Sequence, residues 1–177
     1  DVAVTSTATE LNLLDGKTDA NLAIPGKFGG TNFSGGILIG HTTTGTLSSA
    51  SNNIGIGIGS LDSISTGDNN LCSGATAGTG ITGGSHNVAY GTFALQTNST
   101  GGNNTAIGGI SQISGTGSSN SSIGYGSLQN VSGNRNIGIG RDAGDNITSG
   151  DGNVIIGSID ADSATADKQL IVADGVD

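Results

Sequence analysis

The sequence predicts an all-β chain, a parallel β-solenoid of about eight short coils, and three observations carry that expectation. An Asn followed four residues later by Gly recurs through most of the chain, at Asn53, Asn70, Asn87, Asn104, Asn120, Asn136 and Asn153. The successive differences in residue number are 17, 17, 17, 16, 16 and 17, so the coils are of nearly constant length. Gly makes up 34 of 177 residues against a single Pro, which fits neither collagen nor a proline-rich linker. Aromatic residues are 3% of the chain and Trp and Met are absent, so a conventional globular core is poorly supplied. Self-similarity at a short fixed period with little large apolar material is the signature of stacked coils that share a thin core.

Numbering each coil from its Asn, the second residue is mostly apolar or β-branched: Ile37, Ile54, Leu71, Val88, Thr105, Ser121, Ile137 and Val154. The fourth is Ile39, Ile56, Ser73, Tyr90, Ile107, Ile123, Ile139 and Ile156, with smaller residues common at the third. That alternation has the period of a strand with one buried face, which puts positions two and four, Tyr90 among them, inward. Every coil then carries Gly at position five, namely Gly40, Gly57, Gly74, Gly91, Gly108, Gly124, Gly140 and Gly157, as a bend or a close backbone approach requires. Gly36 opens the same pattern one step earlier without its Asn.

Apolar residues also recur near positions nine and twelve (Leu61 and Ile64, Leu95, Ile113, Leu128 and Val131, Ile147). These predict a second short strand and two turns per coil. Stacked at one strand spacing per coil, eight coils make a rod ~38 Å long. The recurring Asn, usually behind another polar residue such as Asn52, Asn69, His86, Asn103 or Arg135, has a structural reading: a turn amide that tolerates left-handed backbone and bonds to its copies along the rod.

Three regions follow. Residues 1–35 form an N-terminal cap or neck, in which Thr7 and Glu10 have capping-box spacing, Gly16 stops a short helix, and Ile24, Phe28 and Phe33 plug the first coil. Residues 36–160 are the solenoid. Residues 161–177 are a C-terminal neck with a strand over Gln169 to Ala173, leading into a downstream region. Coils this thin bury two or three apolar side chains each against the ordering of a much larger number of backbone units, so self-association is expected to supply the rest of the burial.

The same composition excludes several functions. With a net charge of −9 and basic residues scattered at Lys17, Lys27, Arg135, Arg141 and Lys168, no stripe exists to neutralise phosphates, so neither nucleic acid nor anionic membrane is an expected partner. No apolar run approaches the ~18 residues that insertion in a bilayer needs. Cys72 stands alone and reads as a small buried hydrophobe. Asp160, Asp162 and Asp167 lack the spacing of calcium-binding repeats, His41 and His86 have no nucleophile motif beside them, and neither cofactor, metal nor enzymatic activity is expected. An ice-binding solenoid would need a row of Thr at one phase on successive coils, and none runs beyond a few copies.

The units NNTAIG (Asn103 to Gly108), NSSIG (Asn120 to Gly124), NRNIGIG (Asn134 to Gly140) and GNVIIG resemble the repeats of bacteriophage fibre proteins and are similar to head repeats of trimeric autotransporter adhesins. TATELNLLDG (Thr7 to Gly16) resembles a phrase frequent in fibres of marine and cyanobacterial phages. The resemblance implies a homotrimer of parallel β-rolls, a structural arm of a virion that joins other virion proteins and positions attachment to a host-surface glycan or protein. The alternatives it leaves are a bacterial trimeric surface adhesin head and an ice-binding-type solenoid. Coils here are longer than typical adhesin head repeats.

Overall fold

A computed structural model describes residues 26–40 and 44–173 of the chain. The helix expected between Thr7 and Gly16, and the Ile24 part of the expected plug, lie outside the described residues. Twelve short strands follow one another: β1 (Gly26–Phe28), β2 (Phe33–Ser34), β3 (Ile37–Ile39), β4 (Ala50–Ser51), β5 (Ile54–Ile56), β6 (Leu71–Ser73), β7 (Val88–Tyr90), β8 (Thr105–Ile107), β9 (Ser121–Ile123), β10 (Ile137–Ile139), β11 (Val154–Ile156) and β12 (Leu170–Val172). Ten of them form one sheet in the order β1-β3-β5-β6-β7-β8-β9-β10-β11-β12. From β3 onward every pairing is parallel and in register, with Ile54 beside Leu71, Val88 beside Thr105 and Ile137 beside Val154. The fold is therefore the all-β parallel solenoid that the sequence predicts.

The first coil is closed by β1, which pairs antiparallel with β3 and covers its edge, as an end cap must. Phe33 is fully buried beneath it, whereas Phe28, expected to join the plug, faces outward. A Cβ on Gly36 would strike the ring of Phe33. That contact explains why this first coil has Gly where the others have Asn.

Two expectations are corrected. Each coil from β5 to β12 contributes one strand, at positions two to four, and its second half is turn. The turn needs left-handed residues twice: Thr76, Phe93, Ile110 and Asp142 occupy one such place, and Leu61, Leu95, Gln112 and Leu128 another, all with φ between 47° and 61°. A strand cannot run through such a backbone. The apolar residues near positions nine and twelve do enter the core, but from turns: Leu61, Ile64, Leu95, Leu128, Val131 and Ile147 are fully buried.

The strand faces are also inverted relative to the expectation. Position three is the buried one, as Leu38, Cys72, Ala89, Ala106, Ser122 and Ile155 show, each at 0% exposure. Positions two and four point outward or lie half-buried; Tyr90 is 62% exposed, Ile107 39% and Ile139 38%. The reason is width. Each coil admits one strand side chain opposite the Leu or Ile that reaches in from the turn, so the inner residue is small in most coils, with Leu38 and Ile155 the exceptions. A Cβ on Gly55 would lie 2.6 Å from Leu38 Cδ2, and one on Gly138 2.7 Å from Leu128 Cγ. Both glycines are buried in the core.

The Gly at position five turns the chain out of the strand with φ between 106° and 140° in all eight coils, a region L side chains rarely occupy. It also lies directly beneath the same Gly of the next coil: a Cβ on Gly91 would sit 2.5 Å from the Gly108 carbonyl oxygen. Both effects oppose any side chain there. Gly91→Ala is expected to lower unfolding stability by about 3 kcal/mol, from left-handed strain and backbone displacement together. Gly83→Ala, which meets only Thr66 Oγ1 at 3.2 Å without a positive φ, is expected to change it by less than ~1 kcal/mol in the same denaturant titration.

Candidate functional site

A column of buried polar side chains repeats in every central coil. Asn53, Asn70, Asn87, Asn104, Asn120, Asn136 and Asn153 are all 0–1% exposed. Asn70 donates from its backbone N and from Nδ2 to Asn53 Oδ1, both at 3.0 Å, and its Nδ2 also donates to the Gly84 carbonyl at 2.9 Å. Asn87 repeats the pattern on Asn70 and Gly101, and Asn136 repeats it on Asn120 and Gly150. In these rungs both lone pairs of Oδ1 and both protons of Nδ2 are used, so the amide is satisfied without water. One bond joins the coil to its predecessor, and another closes the coil on itself 13 or 14 residues later.

The left-handed backbone expected at this Asn belongs instead to the residue before it. Asn52, Asn69, His86, Asn103, Ser119, Arg135 and Lys168 have φ of 56° to 61°. These side chains form an exposed outer column in which Asn52 Nδ2 donates to Asn69 Oδ1 at 3.3 Å and Asn69 Nδ2 lies 3.4 Å from His86 Nε2. A third column sits one residue further back. Asp68 Oδ1 accepts from Ser51 N at 2.7 Å, Asp151 Oδ1 from Asn134 N at 2.6 Å, and Asp167 Oδ1 from Asp151 N at 2.7 Å. Three of the fourteen acidic residues of the chain thus cap backbone amides of the neighbouring coil.

Sequence reasoning missed this aspartate column and one further rung. Gln169 takes the place of an Asn in the coil after Asn153: its N and Nε2 donate to Asn153 Oδ1 at 2.8 and 3.1 Å, and Nε2 reaches the Ala166 carbonyl at 3.1 Å. The stack of coils therefore extends past residue 160, and β12 continues the sheet beside β11. The signal lies in the spacing: one further step of the repeat leads from Asn153 to Gln169, an amide one methylene longer.

No constellation for covalent chemistry is assembled among the described residues. Cys72 is fully buried, and burial pushes its thiol up to about 12, outweighing a backbone hydrogen bond from Ala89 that acts the other way. No group of three His, Cys, Asp or Glu side chains placed to hold a metal occurs among the described residues. A shallow depression near the C-terminal coils is lined by Arg141, Asp142, Asp145, Ser158, Ile159 and Asp160. Within it, partial burial raises the Asp145 carboxyl to about 6, and the hydrogen bond to Asp160 and the charges of Asp160 and Asp142 act in the same direction.

Two outcomes follow from this geometry. Asn87→Ala removes both the acceptor for Asn104 N and the donor to Gly101 O, two buried groups whose loss is expected to cost about 2–5 kcal/mol in all, whereas Asn130→Ala, at an exposed 3.4 Å contact, is expected to cost under ~0.5 kcal/mol. Because the folded-state value of Asp145 is raised, its contribution to stability is full below the unfolded value of ~4 and is lost as pH rises through about 6. Asp145→Asn is expected to flatten that part of the pH profile, read by thermal unfolding between pH 4 and 7. Compared with known proteins, the chain matches no family model, no curated protein and no solved structure.

Proposed function

We propose that this chain is a non-enzymatic structural arm, a homotrimeric shaft of a bacteriophage fibre that carries and positions host attachment. The observation that carries the reading is the outer face of the long sheet. Positions two and four of successive coils place Ile54, Ile56, Ile107, Ile123, Ile137 and Ile139 on one side of a parallel sheet, each between 37% and 43% exposed. A monomer seldom leaves so continuous an apolar strip in water. Three copies facing one another across an axis would bury all three strips at once, in keeping with the trimer implied by the likeness to fibre repeats. Tyr90 lies in the same strip and belongs to that contact rather than to a glycan platform. The other sides of the rod are turns rich in Gly, Ser, Thr and Asn, and the steady coil length leaves no insertion to form a receptor pocket. Recognition of a host glycan or protein is accordingly assigned to other parts of the virion, where the arm would reside.

Mass measurement in solution tests the assembly. Particles of three 17.1 kDa chains are expected at micromolar concentration, and a stable monomer would overturn the reading. Ile107→Asp and Ile139→Asp, being on the outer face, are expected to give folded monomers with an unchanged β-type circular dichroism spectrum; loss of folding would place these side chains in the coil interior instead. Saturable binding of the chain to host cells, abolished by changes on its turn faces, would show an adhesin rather than a shaft.

A further inference from the structure

We infer that the coil from Asn104 to Ser119 is a joint, at which the rod divides into two separately cooperative blocks. Four observations converge there. The apolar core is not continuous: one cluster runs from Phe33 to Ala106, a second from Leu128 to Ala161, and the break falls on this coil. The positions that elsewhere carry core side chains are polar or empty. Gln112 stands where Leu61, Leu95 and Leu128 stand in other coils, and Asn98 and Gly115 occupy the place of Ile64, Ile81, Val131 and Ile147.

The polar groups so placed are not all satisfied. Gln112 is 0% exposed with neither amide atom hydrogen-bonded, and buried Asn98 leaves its Oδ1 unpartnered. Beside them Ser111 and Ser122, both buried, bond to each other at 2.7 Å, where the coil before has Ala94 and Ala106. Lastly, the corner bonds lapse on both sides of this coil. Elsewhere one carbonyl collects two or three turn amides from the coil before: Thr82 O from Ser65, Thr66 and Gly67, Ser99 O from Thr82, Gly83 and Gly84, Thr148 O from Ser132 and Gly133. The equivalent amides of Ser99, Thr100 and Gly101, and of Thr116 and Gly117, make no such bond to the next coil.

The cause lies in the sequence. Coil length alone does not set the break, since the coil from Asn120 has the same 16 residues and still buries Leu128 and Val131; what differs is the residue at position nine, where Gln112 goes in and the neighbouring Ile113 is only half-buried. Stacked repeats couple only to nearest neighbours, so one weak interface lowers the free energy of opening there without touching the rungs on either side. The strand bonds of β8 and the ladder bond from Asn120 N to Asn104 Oδ1 are what remain across this interface, so an opening there breaks them at a lower free energy than their counterparts in other coils.

Native-state hydrogen exchange on the unaltered protein decides the matter, whatever its assembly state. A uniform stack frays from its ends and protects its middle best. With a joint, the backbone amides of Thr105–Ile107 are expected to exchange at least about tenfold faster than those of Leu71–Ser73 and of Ile137–Ile139. A profile that peaks at β8, or is level within about twofold, would overturn the inference. Gln112→Leu, which restores the side chain of the neighbouring coils, is expected to remove the dip. A dip that persists unchanged in that variant would overturn its assignment to this coil's interior.

Discussion

A side-chain amide sealed between two coils has four hydrogen-bonding valences and no water to fill them, and that constraint organises the rod. Asn70, Asn87 and Asn136 meet it by accepting twice from the coil after, donating once to the coil before and donating once to a Gly carbonyl of their own coil. The arrangement works only if the coils are in register, because a slip of one residue would turn the amide out of the column and leave several buried groups unpaired. The near-constant period of the repeat is the length of chain that returns each Asn to the same place above its predecessor. Gly at position five allows the close approach of one coil to the next that such bonds demand.

Narrowness is the second consequence. With the ladder at one corner and the glycine column at the end of the strand, the interior of a coil holds one inward strand residue and one or two side chains from the turn. The strand then has no room to bury its larger residues, and Ile, Leu and Tyr go to the outside. The apolar pattern of this sequence therefore serves two interfaces, a minor one inside each coil and a broad one on the sheet surface. The second needs a partner to be satisfied.

Fold class, coil period and the two columns of Asn and Gly are legible in the sequence because they recur at one phase. The direction of the strand faces is not. Alternation fixes which residues share a side, but both sides here carry apolar residues, and the large Ile at positions two and four point to the wrong one. Small residues at position three, Gly55, Cys72, Ala89, Ala106 and Gly138, are the contrary signal, with Leu38 and Ile155 the large exceptions in the first coil and in the coil from Asn153. The second strand per coil fails for a different reason, because apolar spacing in a turn built on left-handed Leu and Thr mimics a strand. Gln169 is hidden as a rung because it breaks the run of Asn. The Asp column is hidden because its members alternate with Ser85, Ser118 and Asn134, which do the same work with different atoms.

The buried ladder is the central claim, and the side-chain amide protons of its asparagines report on it most directly. In a magnetic resonance exchange experiment, the Nδ2 protons of Asn70, Asn87, Asn104 and Asn136 should persist far longer in heavy water than those of exposed Asn52 or Asn130, because each is held between two coils. Exchange of the ladder amides as fast as that of the exposed ones would show that they reach solvent in the native rod, and would contradict the account.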